Sequence, residues 1–340
     1  MRALTIRGYG DNDALEFADL PDPRPGPDEV LIAVRAAGVN PLDVKTRAGA
    51  LRRVRRYAFP LILGNEVSGV VAAVGSAVTG FAPGDEVYAR LDKDRLGGFA
   101  EYVAVAAALI ARKPATLDHD LAAAIPLAAQ TAWQALTESG PLSAGSTVLV
   151  HGGAGGVGTF AVQFGRHLGA TVIATASARN AALVSDLGAD LVIDYRTESF
   201  VERMRALGHE ADLVLDTQGG AVLHRSFEVV RRGGTVVTIA GLPTPDAVRG
   251  QANAVVRALL AAVHLGNRRR ARRAGARFGY LFQRPDGGHL RQFAELVDSG
   301  RLRPVIDRVV PFADAPQALA HVERGGGPGK TVLSVLTSAR

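Results

Sequence analysis

The stretch Thr147-Val148-Leu149-Val150-His151-Gly152-Gly153-Ala154-Gly155-Gly156-Val157-Gly158 constrains the fold more than any other part of the chain. An apolar strand runs into a glycine turn, which opens onto the helix-forming Thr159-Phe160-Ala161-Val162-Gln163-Phe164. Gly153, Gly155 and Gly158 have the spacing G-x-G-x-x-G, which serves a tight turn, a close backbone approach to a pyrophosphate, and helix-on-strand packing. The start of the following helix carries N–H groups without intrahelical partners, and these suit an anion. Backbone contacts to a dinucleotide are therefore expected from Gly153, Ala154, Gly155, Gly156, Val157 and Gly158.

The glycine turn sits inside a longer alternation. Strands are expected at 147–151, 171–176, 191–193, 212–216 and 234–240, with helices near 159–168, 180–187, 198–207 and 220–231. Strict alternation at this spacing implies a parallel, doubly wound α/β sheet that binds its ligand at the carboxyl ends of the strands. Residues 251–276 read as a basic helix or helix pair, and Arg277 to Phe282 as a last strand. Upstream, residues 1 to about 115 read as all-β. Leu20 to Pro27 is a proline-stiffened connection, and Glu29 to Ala37 alternates as a half-buried strand. Val67 to Gly75, Glu86 to Ala89 and Gly98 to Val105 are further strands. A compact barrel or sandwich closes such a set.

Composition removes several function classes. The chain has 340 residues and no cysteine, so thiolate nucleophiles, disulfides and Cys-ligated zinc or iron–sulfur centres are impossible. Its eight histidines show neither H-x-x-x-H nor H-E-x-x-H spacing, and no metal is expected. The net charge of +6 comes from 39 basic residues of which only four are lysine. Arg52, Arg53, Arg55 and Arg56 form one cluster, and Arg268, Arg269, Arg270, Arg272, Arg273 and Arg277 another. Neither is interleaved with aromatic residues, so solvated faces are expected in preference to a nucleic-acid site. No apolar run reaches the roughly 18 residues of a membrane helix, so no membrane partner is expected. Nothing resembles a signal peptide, so a cytoplasmic location is expected.

The choice of dinucleotide is read at the end of the second strand, where NAD-binding chains place an acidic residue for the ribose 2′-hydroxyl. Here the segment is Ala174-Thr175-Ala176-Ser177-Ala178-Arg179-Asn180, with no carboxylate. Ser177, Arg179 and Asn180 suit a 2′-phosphate instead, so NADP(H) is expected. Tyr195, after the third strand, is a candidate to stack near the adenosine.

The first part of the chain carries Ala36-Ala37-Gly38-Val39-Asn40-Pro41-Leu42-Asp43-Val44-Lys45, Gly64-Asn65-Glu66-Val67-Ser68-Gly69, Gly84-Asp85-Glu86-Val87 and Gly98-Phe99-Ala100-Glu101-Tyr102. With Leu127-Ala128-Ala129-Gln130-Thr131-Ala132-Trp133 and the glycine turn, these segments resemble the zinc-independent, quinone oxidoreductase branch of the medium-chain dehydrogenase/reductases. The closing segment Val322 to Val332 and the 251–276 insertion are similar to reticulon-interacting mitochondrial oxidoreductases and their bacterial relatives. The resemblance implies a GroES-like β-barrel catalytic domain over 1–120, a Rossmann NADP-binding domain over 121–282 with the basic helical insertion, and a return to the catalytic domain over 283–340. It also implies a homodimer through the edge strand near 277–282.

Zinc-using relatives would have Cys at Asn40, His at Asn65 and Cys near Gln130 or Thr131. Their departure here implies hydride transfer from NADPH to a quinone or an α,β-unsaturated carbonyl, since a delocalised enolate needs only hydrogen-bond donors. By resemblance, Asn40, Asp43, Lys45 and Thr131 are the expected catalytic residues. Gly241, Leu242, Phe282 and Lys330 join the expected cofactor contacts. Asn40 and Asp43 are also good turn formers, and Lys45 and Lys330 are equally compatible with solvated side chains. Two alternatives stay open: a tailoring enoyl reductase of a specialised biosynthetic pathway, and a non-catalytic NADPH-binding or redox-sensing protein.

Overall fold

A computed structural model describes residues 1–50, 52 and 55–335. Arg53, in the first arginine cluster, lies outside the described residues. The chain forms two compact units, one of residues 1–130 and 284–340 and the other of residues 131–283. The first boundary falls ten residues later than the sequence suggested. The helix His119–Ala123 packs on strands of the first unit and so belongs to it.

The strands of the first unit before the crossover are β1 (Arg2–Ile6), β2 (Leu15–Asp19), β3 (Glu29–Val39), β4 (Leu61–Ile62), β5 (Glu66–Val74), β6 (Glu86–Arg90), β7 (Tyr102–Ala106) and β8 (Ile110–Arg112). The second unit supplies β9 (Thr147–His151), β10 (Thr171–Ala176), β11 (Leu191–Asp194), β12 (Ala211–Asp216), β13 (Val230–Thr238) and β14 (Arg277–Tyr280). The chain then returns to the first unit with β15 (Ile306–Pro311) and β16 (Lys330–Ser334).

In the first unit, β2-β1-β4 form a small sheet, and β15-β16-β3-β5-β6-β8 a larger one in which β7 also pairs with β3. Leu4, Ile6, Val34, Leu63, Val67 and Phe99 are among the side chains of a single core that both sheets bury. β16 runs antiparallel to the end of β3 with Thr331 opposite Val39. This register sets Lys330 beside the Val39–Asn40 junction. A second tie holds the return: Arg47, fully buried, meets both carboxylate oxygens of Glu323 at 2.9 Å and also bonds Asn12.

The first unit is not all-β before residue 115, as its sequence suggested. Pro41–Arg47 is a helix. Pro41 fits the first helical position because its missing N–H would lack a partner there anyway, and the extended Asn40 caps the turn.

The second unit is a six-stranded sheet in the order β11-β10-β9-β12-β13-β14, parallel throughout. The strand order reverses at β9, so the loops after β9 and β12 flank the crevice where such sheets bind ligands. Within the 251–276 insertion, two helices form, Ala254–Val263 and Leu265–Ala274.

Candidate functional site

The second unit positions the glycine turn through backbone bonds. The Gly153 N–H donates to the Thr175 carbonyl at 2.9 Å and the Gly152 N–H to Thr175 Oγ1 at 3.1 Å, tying the turn to β10. The helix Gly156–His167 starts at Gly155. A Cβ on Gly158 would lie 2.1 Å from the Gly152 carbonyl oxygen, whereas one on Gly155 would lie 3.3 Å from that oxygen and meet nothing else. Gly158 therefore serves the turn itself, and Gly155 leaves an open approach to the backbone. That approach fits the pyrophosphate of a dinucleotide.

The ends of β10 and β11 lie side by side, with Ala176 paired to Asp194. Ser177 caps the helix Ala178–Asp186 without spending its hydroxyl on a capping bond, and Arg179 and Tyr195 are exposed. The Tyr195 N–H donates to the Ala176 carbonyl. The fold thus brings Ser177, Arg179, Asn180 and Tyr195 together. Arg196, which the sequence reading did not single out, stands over the Tyr195 ring at 5.8 Å and adds a second guanidinium. Across the crevice, Thr217 Oγ1 donates to the His151 carbonyl at 2.7 Å. Asp216 is buried, bonded to Thr238 Oγ1 and to the Gln218 and Gly219 N–H groups. Gly241, at φ +73°, and the exposed Leu242 follow β13, and Phe282 lies near Tyr280 just beyond β14. Thr131 is buried at the start of this unit.

In the first unit, Asn40, Asp43, Asn65, Glu66, Arg90 and Lys330 form a buried polar cluster. Lys330 Nζ donates to Glu66 Oε1 at 2.7 Å, to the Val39 carbonyl at 3.4 Å and to Asn40 Oδ1. Asn40 Nδ2 donates to the same Glu66 oxygen at 2.8 Å, and Glu66 Oε2 accepts from the Leu127 N–H at 2.6 Å. Asp43 accepts from Asn65 Nδ2 at 2.6 Å and from the Asn40 N–H at 2.8 Å. Arg90 Nη1 donates to the Asn65 and Leu91 carbonyls.

This arrangement corrects one expectation. Lys330 was expected to contact the cofactor, but its side chain is 4% exposed and its ammonium has three acceptors for its three N–H groups. Its role here is to neutralise Glu66 and orient Asn40. Glu66 was missed as a member of the cluster because the sequence reads it as the residue just before a strand that starts at Val67, whereas it opens that strand. The available signal was the largely apolar run Val67 to Val74, which reads as a buried strand, where an adjoining carboxylate needs a partner.

Burial pushes the Asp43 carboxyl up to about 6, against the opposing pull of its bonds from Asn65 and Asn40. A carboxyl raised on folding contributes stability that is present below its unfolded value near 4 and is lost as pH rises through about 6. Asp43→Asn is therefore expected to flatten the change of melting temperature across that window. A profile with the parent's slope would show that another group titrates there.

Lys45 is the one expected catalytic residue whose side chain is left open. Among the described residues its ammonium has no hydrogen bond or ion pair, it is half-buried, and burial lowers its pKa below the usual lysine value. A lysine so placed donates hydrogen bonds and releases a proton more readily than a solvated one.

Residues 26–115 match the family described as alcohol dehydrogenase GroES-like domain, and residues 187–333 the one described as zinc-binding dehydrogenase. The donors here do not fit zinc. Asn40 and Asn65 supply neutral amides, Glu66 is the single carboxylate bonded to the Asn40 side chain, and the Lys330 ammonium already neutralises it. Among the described residues no group of three or more His, Cys, Asp or Glu could hold a metal ion.

The chain is 38% identical over 360 residues to the mitochondrial NAD(P)H oxidoreductase RTN4IP1 of Danio rerio, covering 99% of this chain and 92% of that protein. It is 35% identical to the 2-methylene-furan-3-one reductase of Solanum lycopersicum, covering 98% of this chain and 79% of that one. The solved quinone oxidoreductase of Coxiella burnetii superposes with a TM-score of 0.84 at 31% identity, covering 99% of both chains. The chain belongs to the medium-chain dehydrogenase/reductase superfamily, as an NAD(P)H oxidoreductase with a GroES-like and a Rossmann domain, in the quinone oxidoreductase-like branch.

Proposed function

We propose that the chain reduces conjugated acceptors, a quinone or an α,β-unsaturated carbonyl, with NADPH and without zinc. The observation that carries this reading is the Lys330–Glu66–Asn40 cluster. Its Asn40, like the neighbouring Asn65, stands where zinc-using relatives would have a metal ligand, and the cluster presents a neutralised ion pair rather than a cation's donors. A simple carbonyl reduced without a Lewis acid would develop a localised alkoxide, a loss of several kcal/mol of stabilisation. A conjugated acceptor spreads that charge into an enolate, which neutral or cationic hydrogen-bond donors can hold. The names of the relatives support the same class, since a quinone and a 2-methylene-furan-3-one are both conjugated carbonyl compounds.

NADPH, when bound, supplies a hydride. The backbone of Gly153 to Gly158 receives the pyrophosphate, with Gly155 leaving room for it. Ser177, Arg179 and Asn180 hold the 2′-phosphate, with Arg196 as a further guanidinium and Tyr195 beside the adenosine. Gly241, Leu242, Phe282 and Thr131 serve the nicotinamide side. Lys45 donates a hydrogen bond to the acceptor's oxygen as its charge develops and passes it a proton. Asn40 and Asp43 act through the backbone they fix at the start of the Pro41–Arg47 helix.

Ser177→Asp combined with Arg179→Ala is expected to shift kcat/KM from NADPH towards NADH by at least about tenfold, because a carboxylate repels a phosphate dianion and accepts from a ribose hydroxyl. Kinetics with both cofactors check this, and an unchanged ratio would remove these residues from the phosphate site. Lys45→Met is expected to lower kcat by about 100-fold while leaving the dissociation constant of NADPH within about twofold, the range of a lost general acid. Equal kcat in the variant would assign the proton to water.

A further inference from the structure

His151 is the last residue of β9, one position before the glycine turn, and is 1% exposed. Its two ring nitrogens face hydroxyls from two other elements. Nδ1 lies 3.2 Å from Oγ1 of Thr175, its pairing partner on β10, and Nε2 lies 3.1 Å from Ser226 Oγ at the end of the helix Gly220–Ser226. Thr175 Oγ1 already accepts from the Gly152 N–H at 3.1 Å, and Ser226 Oγ donates to the Val222 carbonyl at 2.8 Å. One assignment satisfies every atom: the Thr175 hydroxyl donates to Nδ1, and the Nε2–H donates to Ser226. The opposite tautomer would leave the Thr175 hydrogen without an acceptor and draw the Ser226 hydrogen away from Val222. Burial pushes the imidazole down to about 4, against the attraction of the Asp216 carboxylate, so the ring is neutral near pH 7.

These bonds form a chain that ends in the turn. His151 orients the Thr175 hydroxyl, the oxygen of that hydroxyl holds the Gly152 N–H, and the Gly152 carbonyl accepts from the Gly155 N–H at 2.9 Å. Gly152 sits at φ +69°, and its carbonyl oxygen is the atom that a Cβ on Gly158 would strike. From the other side, Thr217 Oγ1 donates to the His151 carbonyl at 2.7 Å. His151 is thus held from β10, from the loop after β12 and from the helix Gly220–Ser226. We infer that His151 is a positioning residue of the dinucleotide site: by orienting the Thr175 hydroxyl it fixes Gly152, and with it the backbone N–H groups that meet the pyrophosphate. This rests on the reading that the turn receives the pyrophosphate. The two sides of the ring have different tasks. Nδ1 sets the turn, whereas Nε2 and the edge-on contact with Phe200, 4.7 Å between ring centroids, hold the imidazole in the core.

The test measures NADPH affinity by calorimetric titration and stability by urea unfolding in one set of variants of the full chain. Thr175→Val removes the hydroxyl at nearly constant volume and is expected to weaken NADPH binding about tenfold or more, the effect of one donor left without its acceptor. Thr175→Ser keeps the hydroxyl and is expected to bind within about threefold of the parent. His151→Asn keeps an acceptor near the Nδ1 position but gives up the Ser226 bond and the Phe200 contact, so it should lose stability and still bind NADPH within about threefold. His151→Gln keeps a donor near Nε2 and gives up the Nδ1 acceptor, so its affinity should fall about tenfold. Combined with Thr175→Val it should bind no worse than Thr175→Val alone, because both changes break the same chain. Nitrogen-15 correlation spectra at neutral pH should show His151 protonated on Nε2 and bare on Nδ1. Affinity that simply follows stability across the set, or a proton on Nδ1, overturns this role for His151. Gly155→Ala, titrated alongside, separates the two readings: parent-like affinity there takes the pyrophosphate away from the turn and overturns both, whereas weakened binding there with parent-like binding in Thr175→Val overturns the role of His151 alone.

Discussion

Lys330→Met should destabilise the first unit by about 3–5 kcal/mol, because it strips the partner from a carboxylate with no solvent exposure. Glu66 would keep its bonds from Asn40 and Leu127, but two amide donors do not offset a buried charge. Glu66→Gln alone should also be costly, since the ammonium would then face only the Val39 carbonyl and neutral amide oxygens. The two changes together should be less damaging than the sum of each, because the pair leaves together and only hydrogen bonds are lost. Urea unfolding of the parent, the two single variants and the double variant measures this coupling. Strict additivity would mean that Lys330 and Glu66 do not depend on each other. The same variants separate structure from cofactor binding: a direct role for Lys330 in holding NADPH would lower affinity in folded protein.

The second large effect divides the glycines of the turn by function. Gly158→Ala places a Cβ 2.1 Å from the Gly152 carbonyl, a backbone atom that cannot swing aside. A loss of about 1–3 kcal/mol or more in stability is expected, with the turn distorted and NADPH binding lost along with it. Gly155→Ala meets the same oxygen at 3.3 Å and nothing else, at a residue already extended at φ −77°. Its melting temperature should stay close to the parent's, while NADPH affinity falls at least about tenfold, or about 1.4 kcal/mol, because the methyl occupies the phosphate approach. Calorimetric titration of NADPH into the two variants distinguishes them. Parent-like affinity in Gly155→Ala would move the pyrophosphate away from this turn.

The second unit was legible in the sequence almost strand by strand, because its periodicity and its connections are local. The turn at Gly152–Gly158 announces itself within twelve residues, and β9, β10 and β12 fall where alternation puts them. The first unit was legible less fully. Asn40-Pro41-Leu42-Asp43 reads equally as a turn and as a helix start, and only the capping bond from the Asn40 N–H to Asp43 and the pairing of β16 with β3 decide between them. The buried cluster hid for the same reason. Its members come from positions 40, 43, 65, 66, 90 and 330, and no local pattern connects residue 330 to residue 40. A lysine in a glycine-rich tail looks solvated until strand register carries it into the core. Arg196 hid differently: it lies in a turn after β11, where sequence spacing carries little information about which side chain faces which ring.

Conjugation in the acceptor is proposed to replace a metal at this site. This is tested most directly by following NADPH oxidation with the purified chain against three acceptors: a quinone, an open-chain enone, and the saturated ketone that matches the enone. Turnover of the quinone or the enone is expected, with at least about 100-fold slower reduction of the saturated ketone, in keeping with the stabilisation a Lewis acid would otherwise supply, and rates unchanged by a zinc chelator. Saturated ketone reduced as fast as the enone, or activity abolished by the chelator and restored by zinc, would contradict it.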